Sequence, residues 1–497
     1  MEIKVLDGKN TIGGNKILIR GKRGVIFLDF GKNFKTWGNY FEEFLNPRSS
    51  VGIFDLWKLN LIPKFSNIYR DDLILSNFKS SVEREKEMDL KAIFLSHAHL
   101  DHAGFIPLLK ENIPIITSSV TERILDAMQD TSGGKVLLQF SNFKKREESK
   151  NDKAQGVLVT KSRKESTTVE RKFVEVNFES KNAVEGEIDG IKYKLFSVDH
   201  SVPGAMAMYL EVDGESIAYT GDIRFHGENA EGSYAFVEEV KRLKPKYLIT
   251  EGTRTLRDIE NKDKNKERTT EDDVLTASED VVKQYRGKLV VADFGPRNVE
   301  RLKTFLKIAE DTNRRLAVTD KDAHLIKCLK DVGFNLIDNK NLVVIDRKLS
   351  KEGTWLKELK EYLNEQYGTN KIVTMNEIGK NMGDYMLCYS FWDLINLLDI
   401  EIKGGAYIYS SSEAFSEEQV IDMNRLMNWL KFFDLKPFGI DYENGELSFS
   451  GNYHSSGHAP SSDLFKMIEE INPEILLPVH TENPLPFAER FKGMKIL

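Results

Sequence analysis

The feature of this chain that most restricts its fold is a run of metal-binding side chains between a predicted strand and a predicted helix. The segment IFLSHAHLDHAGFIPLL holds three of the nine histidines in the 497 residues, with an aspartate among them. His97 and His99 lie two residues apart at the strand end and point to the same side, and Asp101 and His102 follow where the helix begins. Four zinc-type ligands in six residues exceed what one ion usually takes from one loop. The cluster therefore predicts two metal ions side by side.

Three further candidate ligands also stand at the ends of apolar runs. His200 follows YKLFSVD, Asp222 ends AYTGD and His480 follows EILLPV. Ligands that reach one edge of a sheet from several strand ends form a rigid, preformed site. The alternative interpretation, a set of surface histidines on a loop, leaves this recurrence at strand ends unexplained.

Composition sets broad limits on the class of protein. The chain is 40% apolar and 30% charged, which is typical of a folded globular protein, and its length suggests roughly two to four domains. The two cysteines, Cys328 and Cys388, form no CxxC pair, which argues against a disulfide scaffold and suits a reducing compartment. The absence of a signal-like N-terminus and of a long apolar run predicts a cytoplasmic protein that does not span a membrane. The net charge of −7 does not indicate nucleic-acid binding, although it leaves room for a local basic groove.

The order of predicted elements indicates an α/β protein. Residues 16–31 read as a hairpin whose second strand ends at Asp29, and Asp213-Gly214 is a typical two-residue hairpin turn. The polar stretch from Ser141 to Lys172 reads as an exposed excursion. After Gly252, apolar strands alternate with helical periodicity, which predicts a small α/β layer with a parallel sheet.

The motifs resemble those of the metallo-β-lactamase superfamily. SHAHLDHAG is similar to its HxHxDH signature, and LDFG at Asp29, DHSVPGA at His200 and YTGD at Asp222 match its other motifs in order. The resemblance implies a four-layer αββα sandwich with two metal ions at one edge, bridged by Asp222. It also implies that Asp29 orients the ligands. The implied ligands are His97, His99 and His200 for the first ion, and Asp101, His102 and His480 for the second.

The C-terminal block narrows this resemblance to the β-CASP nucleases. TEG places Glu251 at motif A, SSGHA places His458 at motif B, and PVHTE places His480 at motif C. The resemblance implies an inserted α/β β-CASP domain over residues 252–435. The metallo-β-lactamase domain would then comprise residues 1–251 and 436–497. A histidine at motif C favours the RNA-acting branch, and the block is most similar to ribonuclease J in a compact form without its C-terminal domain.

This resemblance implies a metal-dependent ribonuclease that degrades single-stranded RNA as a 5′-to-3′ exonuclease. Its cofactors would be two divalent ions, zinc with manganese as the alternative, which activate water through a centre that includes Asp101. Glu251 would orient the site, and His458 would contact a phosphate oxygen or assist the leaving 3′-oxygen. An endoribonuclease of the same family is the first alternative. A small-molecule metallohydrolase is a further one, against which the large insertion counts, and a homodimer is compatible with the sequence.

Hydroxyl-rich loops supply the candidate substrate-binding residues. His454, Ser455 and Ser456 precede motif B, and Ser411 lies in YSSSEAF beside Ser410 and Ser412. Their hydroxyl and backbone N–H groups suit a phosphate cradle. Arg254, Arg257 and Arg297, with Phe294 as a stacking face, are candidates for lining a cleft. His226 and His324 lie outside every motif and are expected to be ordinary residues.

Overall fold

The computed structural model consists of two compact units. The first contains Met1–Phe225, Asn229–Lys264 and His458–Leu497, and the second contains His226–Glu228 and Asn265–Gly457. The assignment of residues 252–435 to a β-CASP domain, and of residues 1–251 and 436–497 to a metallo-β-lactamase domain, remains a prediction. The structure describes residues 1–42, 44–151, 156–160, 167–178, 183–260, 269–295, 297–347, 351–411, 417–443 and 446–497.

The first part of unit 1 supplies most of its two sheets. Its strands are β1 (Glu2–Asp7), β2 (Lys16–Gly21), β3 (Gly24–Leu28), β4 (Leu90–Phe94), β5 (Ile115–Ser118), β6 (Asn142–Lys144), β7 (Arg146–Glu148), β8 (Leu158–Thr160), β9 (Thr168–Glu170), β10 (Phe173–Val176), β11 (Ala183–Ile188), β12 (Ile191–Ser197), β13 (Met206–Val212), β14 (Glu215–Tyr219) and β15 (Tyr247–Thr250). Its helices are α1 (Phe34–Gly38), α2 (Phe54–Lys58), α3 (Ser76–Glu83), α4 (Leu100–Ala103), α5 (Ser119–Asp130), α6 (Ala230–Leu243) and α7 (Thr255–Glu260).

Unit 2 alternates strands and helices. Its strands are β16 (Leu289–Asp293), β17 (Arg315–Val318), β18 (Leu342–Ile345), β19 (Ile372–Val373), β20 (Tyr385–Cys388), β21 (Gly405–Tyr409), β22 (Leu435–Phe438), β23 (Ile440–Glu443) and β24 (Glu446–Phe449). Its helices are α8 (Glu271–Gln284), α9 (Val299–Asp311), α10 (Asp320–Lys330), α11 (Thr354–Tyr367), α12 (Met375–Lys380) and α13 (Glu417–Phe432). The chain then returns to unit 1 through α14 (Ser461–Ile471), β25 (Ile475–Pro478), α15 (Leu485–Arg490) and β26 (Lys495–Ile496).

Unit 1 is a sandwich of two sheets with helices outside, as predicted. The sheets have the strand orders β1-β2-β3-β4-β5-β10 and β11-β12-β13-β14-β15-β25-β26. Apolar side chains of both sheets, among them Ile26, Phe94 and Met208, form the core between them. Helices α6 and α14 cover the outer face of the second sheet, and α5 packs against β5 and β10 of the first. This αββα arrangement confirms the predicted fold class.

A predicted hairpin turn and a predicted polar excursion both lie in unit 1. Asp213 and Gly214 form the two-residue turn between β13 and β14 and both have positive φ, +53° and +82°, as a tight hairpin turn requires. The polar excursion folds back on itself, with β6 paired to β9 and β7 paired to β8. Residues 152–155 and 161–166 of this excursion lie outside the described residues.

Unit 2 is built on a parallel sheet with the order β19-β18-β17-β20-β16-β21-β22. Apolar clusters cover the sheet on both faces, so its strands are continuous apolar runs such as LVVAD in β16, as expected for a buried parallel sheet. The alternation after Gly252 therefore predicts this layer correctly. Across all the described residues, every helix is too short or too polar to span a bilayer.

Candidate metal centre

The seven predicted metal ligands meet at one edge of the unit 1 sandwich. The segment after β4 and helix α4 carries the HxHxDH residues, and β12, β14 and β25 are each followed by one more ligand. The side chains of His97, His102, His200, Asp222 and His480 are almost completely buried, with 0–6% exposure. Strand ends from both sheets thus bring together residues that are far apart in the sequence.

One group of ligand atoms comes from His97, His99, His200 and Asp222, which lie within 4.8 Å of one another. His97 Nε2 is 3.1 Å from His99 Nδ1, and His200 Nε2 is 3.2 Å from the same nitrogen. His97 Nε2 is 3.5 Å from Asp222 Oδ2. Three imidazoles and a carboxylate that converge in this way can surround one divalent cation.

A second group comes from Asp101, His102 and His480, whose ligand atoms also lie within 4.8 Å of one another. His480 Nε2 is 3.2 Å from Asp101 Oδ2. Asp222 Oδ2 lies between the two groups, 3.3 Å from His102 Nε2 and 3.9 Å from His480 Nε2. The geometry is therefore that of two adjacent ligand sets that share one carboxylate.

Two buried polar atoms in this cluster support its fit to metal ions. Within the part of the chain that the structure describes, His102 Nε2 and Asp222 Oδ1 have no hydrogen-bond partner. Such an unsatisfied buried group costs about 1–3 kcal/mol, and coordination to a cation would remove that cost. The nitrogen and oxygen donors are also the types that zinc and similar divalent ions accept. The residues present therefore fit divalent metal ions.

Asp29 lies directly behind the second group of ligands. Its Oδ2 accepts hydrogen bonds from His102 Nδ1 at 2.7 Å and Tyr219 OH at 2.6 Å. Ser96 donates its backbone N–H to Asp29 Oδ1 and its hydroxyl to Asp29 Oδ2. Asp29 has a left-handed backbone, with φ of +58°. The chain then passes so close to Asp101 that a Cβ on Gly31 would lie 1.6 Å from the Asp101 carbonyl oxygen. This close approach explains the glycine of LDFG.

Glu251 and His458 form a second polar pair beside the cluster. Glu251 Oε2 is 2.8 Å from His458 Nδ1, and Glu251 Oε1 accepts the backbone N–H of Ile223 at 2.8 Å. Thr253 Oγ donates to Glu251 Oε2 at 2.6 Å and lies 2.8 Å from His480 Nδ1. Because the Thr253 proton goes to Glu251, the Thr253 oxygen must accept from His480 Nδ1. The Nε2 lone pair of His480 is therefore directed toward Asp101.

The charges at the cluster set the protonation of its histidines. Burial, helped by the nearby His102, lowers the pKa of His97 well below its ordinary value, which keeps it neutral as a metal ligand must be. Burial alone would also lower the pKa of His102, but the carboxylates of Asp222 and Asp29 raise it well above its ordinary value. For His458, burial is likewise outweighed by Glu251 and Asp222, which raise its pKa to about 9. In the metal-free protein His458 is therefore a cation at neutral pH.

The predicted substrate-binding residues lie in unit 2, where the two hydroxyl-rich loops come together. His454 Nδ1 is 3.3 Å from the Ser410 carbonyl oxygen, and Ser411 Oγ donates to Asp293 Oδ1 at 3.1 Å. Ser456 is partly exposed, whereas Ser455 is completely buried. Ser412 lies outside the described residues.

A buried arginine that sequence reasoning missed holds these loops. Arg301 forms a bidentate ion pair with Glu271, with both N–O distances at 2.8 Å. It also donates to the carbonyl oxygens of Ser410 at 2.5 Å and Ser455 at 3.4 Å. Sequence reasoning also missed Ser96, Tyr219 and Thr253, although all three lie within three residues of predicted site residues.

The remaining candidates have ordinary surroundings or were predicted wrongly. Phe294 is buried and stacks on Phe305 with the ring centroids 5.0 Å apart, so the prediction of a stacking face there is wrong. Arg254 pairs with Asp258 at 3.1 Å, and Arg257 and Arg297 are partly exposed. His226 Nε2 lies 3.1 Å from the Ser456 carbonyl oxygen, and His324 packs against Trp355.

Comparison with known proteins agrees with this geometry. Residues 70–268 match the metallo-beta-lactamase superfamily, and residues 451–496 match the Zn-dependent metallo-hydrolase RNA specificity domain. The chain is 23% identical over 421 residues to ribonuclease J of Mycoplasma genitalium, covering 82% of this chain and 60% of that protein. It is 22% identical over 501 residues to ribonuclease J of Methanocaldococcus jannaschii, covering 97% of this chain and 91% of that protein.

A solved structure has a similar overall fold. The crystal structure of a protein of unknown function from Enterococcus faecalis V583 aligns with a TM-score of 0.69 at 23% identity, over all of this chain and 97% of the other. Residues 70–268 contain six of the seven candidate ligands, and residues 451–496 contain His458 and the seventh ligand, His480. The chain therefore contains a region that matches the metallo-β-lactamase superfamily and a C-terminal region that matches an RNA specificity domain, and both agree with the resemblance of its motifs to the β-CASP ribonucleases.

Proposed function

We propose that this protein is a metal-dependent ribonuclease that degrades single-stranded RNA from its 5′ end. The observation that carries the proposal is the convergence of seven His and Asp side chains into two adjacent ligand groups. The match of the C-terminal region to an RNA specificity domain supports RNA as the substrate. Relatives named ribonuclease J support it too, although the chain spans 60% of the length of the Mycoplasma proteins and 62% of a Streptococcus pyogenes relative.

The superfamily implies divalent metal ions, and we assign the two ligand groups to one ion each. His97, His99 and His200 would hold the first, Asp101, His102 and His480 would hold the second, and Asp222 would contact both. When bound, two such ions activate a water for attack on phosphorus and neutralise charge on the scissile phosphate. Zinc suits the histidine-rich donor set, with manganese as the alternative.

His458 is the group that we assign to the leaving oxygen. Its Nδ1 is held by Glu251 at 2.8 Å, so its Nε2 is on the side of the ring away from Glu251, and the ring is 21% exposed. In the metal-free site its pKa is raised to about 9, and the ion pair with Glu251 favours the protonated ring that could supply the 3′-oxygen with a proton when the phosphorus–oxygen bond breaks. Glu251 is the positioning residue for this step, since its own orientation is fixed by Ile223 and Thr253.

The hydroxyl-rich loops of unit 2 are the proposed binding site for the 5′-phosphate. His454, Ser456 and Ser411 are partly exposed and can contact a phosphate. Ser455 is buried, so we assign it to loop structure through its carbonyl contact with Arg301. A terminal-phosphate site would make degradation start at the 5′ end, because a substrate without an end cannot occupy it.

Digestion of a 5′-labelled single-stranded RNA, before and after chelation and metal reconstitution, tests the proposal. Release of the labelled mononucleotide at the earliest times is expected from the wild type, with none from chelated protein. A circular RNA of the same sequence is the matched substrate control, and it should resist the enzyme. Internal fragments from both RNAs would support the endonuclease alternative, and metal-loaded protein that cleaves neither would overturn the proposal. The predicted cytoplasmic location and homodimer remain predictions, which cell fractionation and light scattering can check.

A further inference from the structure

A buried hydrogen-bonded chain leads from the first loop of the protein to the second ligand group. Asn15 Nδ2 is 3.1 Å from Tyr219 OH, which is 2.6 Å from Asp29 Oδ2, which in turn is 2.7 Å from His102 Nδ1. All four side chains are at most 1% exposed. The chain therefore crosses from the β1–β2 loop, through the end of β14, to a candidate metal ligand without contact with solvent.

The direction of each proton in this chain follows from the chemistry of Asp29. A carboxylate only accepts hydrogen bonds, so Tyr219 must donate its single proton to Asp29. Its oxygen must then accept from the Asn15 amide, which fixes the orientation of Asn15. His102 Nδ1 must likewise donate to Asp29. When His102 binds a metal ion its ring must be neutral, and Nε2 then carries the lone pair. Nε2 is the atom that faces Asp222, at 3.3 Å.

Asn15 also holds the other side of the same ligand group. Its backbone N–H donates to the Asp101 carbonyl oxygen at 3.1 Å, and the Gly31 N–H donates to the Asn15 carbonyl oxygen at 3.0 Å. Asn15 thus contacts the backbone carbonyl of Asp101 directly and, through Tyr219 and Asp29, the ring of His102. Apolar packing of Tyr219 between the two sheets needs only its ring, so the core does not require the hydroxyl.

We propose that Tyr219, oriented by Asn15, is a positioning residue that fixes His102 through Asp29 and so sets the metal affinity of the second ligand group. The inference rests on the metal site of the proposed function. Outer-shell partners of metal-bound histidines orient the ring and typically change affinity by about 10- to 100-fold when removed. The Tyr219 hydroxyl can be removed without changing the packing, because Tyr219→Phe keeps the ring in the core.

Cobalt(II) titration of metal-free wild-type and Tyr219→Phe protein, followed by visible absorption, tests this inference. The variant is expected to bind cobalt roughly 10- to 100-fold more weakly at the site that contains His102, with an altered absorption band for that ion. Tyr407→Phe is the matched control, because Tyr407 also donates from a buried hydroxyl to a buried aspartate, Asp293, in unit 2. It should leave both the affinity and the spectrum unchanged.

Asn15→Ala separates the positioning role from packing, because it keeps Tyr219 and removes the side-chain amide that donates to the Tyr219 hydroxyl. It should weaken cobalt binding in the same direction as Tyr219→Phe but less strongly, and the metal-free melting temperature of each variant reports folding separately. If the wild type binds cobalt and Tyr219→Phe binds it with the same affinity and spectrum, the inference is overturned while the proposed function stands. A folded wild type that takes up no divalent ion overturns both.

Discussion

Replacing Asp293 by asparagine should stabilise unit 2 at neutral pH but not in acid. Asp293 ends β16, is only 4% exposed, and accepts hydrogen bonds from Tyr407 OH and Ser411 Oγ. Burial raises the pKa of its carboxyl from the ordinary 3.8 to about 6, even though both hydrogen bonds oppose the shift. The folded protein therefore holds this proton more tightly than the unfolded chain does.

The sign and the size of the effect follow from this difference in pKa. The stabilisation from the bound proton is complete below pH 3.8 and is lost as the pH rises through about 6. A difference of about two pKa units corresponds to about 3 kcal/mol. Asparagine does not titrate and can still accept the Tyr407 hydrogen bond. The free energy of unfolding of Asp293→Asn, relative to wild type, should therefore rise by about 3 kcal/mol between pH 4 and pH 7.

Hydrogen exchange of the amides of β16 and β21 measures this change within unit 2. Metal-free protein is used at both pH values so that ion binding does not contribute. The matched control is Asp399→Asn, which makes the same charge change at an exposed side chain and should show no pH-dependent gain. An equal effect of Asp293→Asn at pH 4 and pH 7 would refute the reasoning, because it would mean that burial does not favour the protonated carboxyl.

Three further predictions concern the metal centre and the loops. Asp101→Ala should abolish RNA hydrolysis and leave RNA binding largely intact, because affinity depends mainly on many phosphate contacts along the bound RNA. Cleavage assays and filter binding measure the two effects, and a cleavage rate above about a tenth of the wild-type rate would contradict the prediction. Arg301→Met should cost unit 2 about 3–5 kcal/mol by leaving Glu271 buried without its cation, and adding Glu271→Met should recover part of this in denaturant unfolding. Metal at about a thousand times its dissociation constant should raise the unfolding free energy by about 4 kcal/mol, and calorimetry that finds equal melting temperatures for chelated and loaded protein would contradict it.

The convergence of the candidate ligands was predictable because each stands in a short local pattern. Histidine and aspartate at strand ends, two residues apart or at the start of a helix, indicate the side of the sheet before the fold is known. The parallel layer of unit 2 was predictable for the same reason, since continuous apolar strands alternate with helical periodicity. Its strand order was not, because the insertion of β20 between β16 and β17 depends on pairing between distant segments.

The supporting hydroxyl groups could not be predicted from local patterns. In the sequence, Tyr219 resembles any core residue of an apolar strand. The role of its hydroxyl depends on the hydrogen bond to Asp29, which is 190 residues away in sequence. Arg301 likewise resembles a surface arginine on an amphipathic helix until Glu271 and the two loops surround it. Phe294 shows the opposite error, because an aromatic residue after a strand end fits an exposed face and a buried core equally well.

The position of β25 has a consequence for the synthesis of the protein. Tyr247 of β15 pairs with Ile475 of β25, so the ribosome must translate all of unit 2 before this strand can enter the sheet. His458 and His480 both emerge after unit 2, and a growing chain therefore carries an incomplete centre for most of its translation. The candidate metal centre can therefore become complete only after these last strands have left the ribosome.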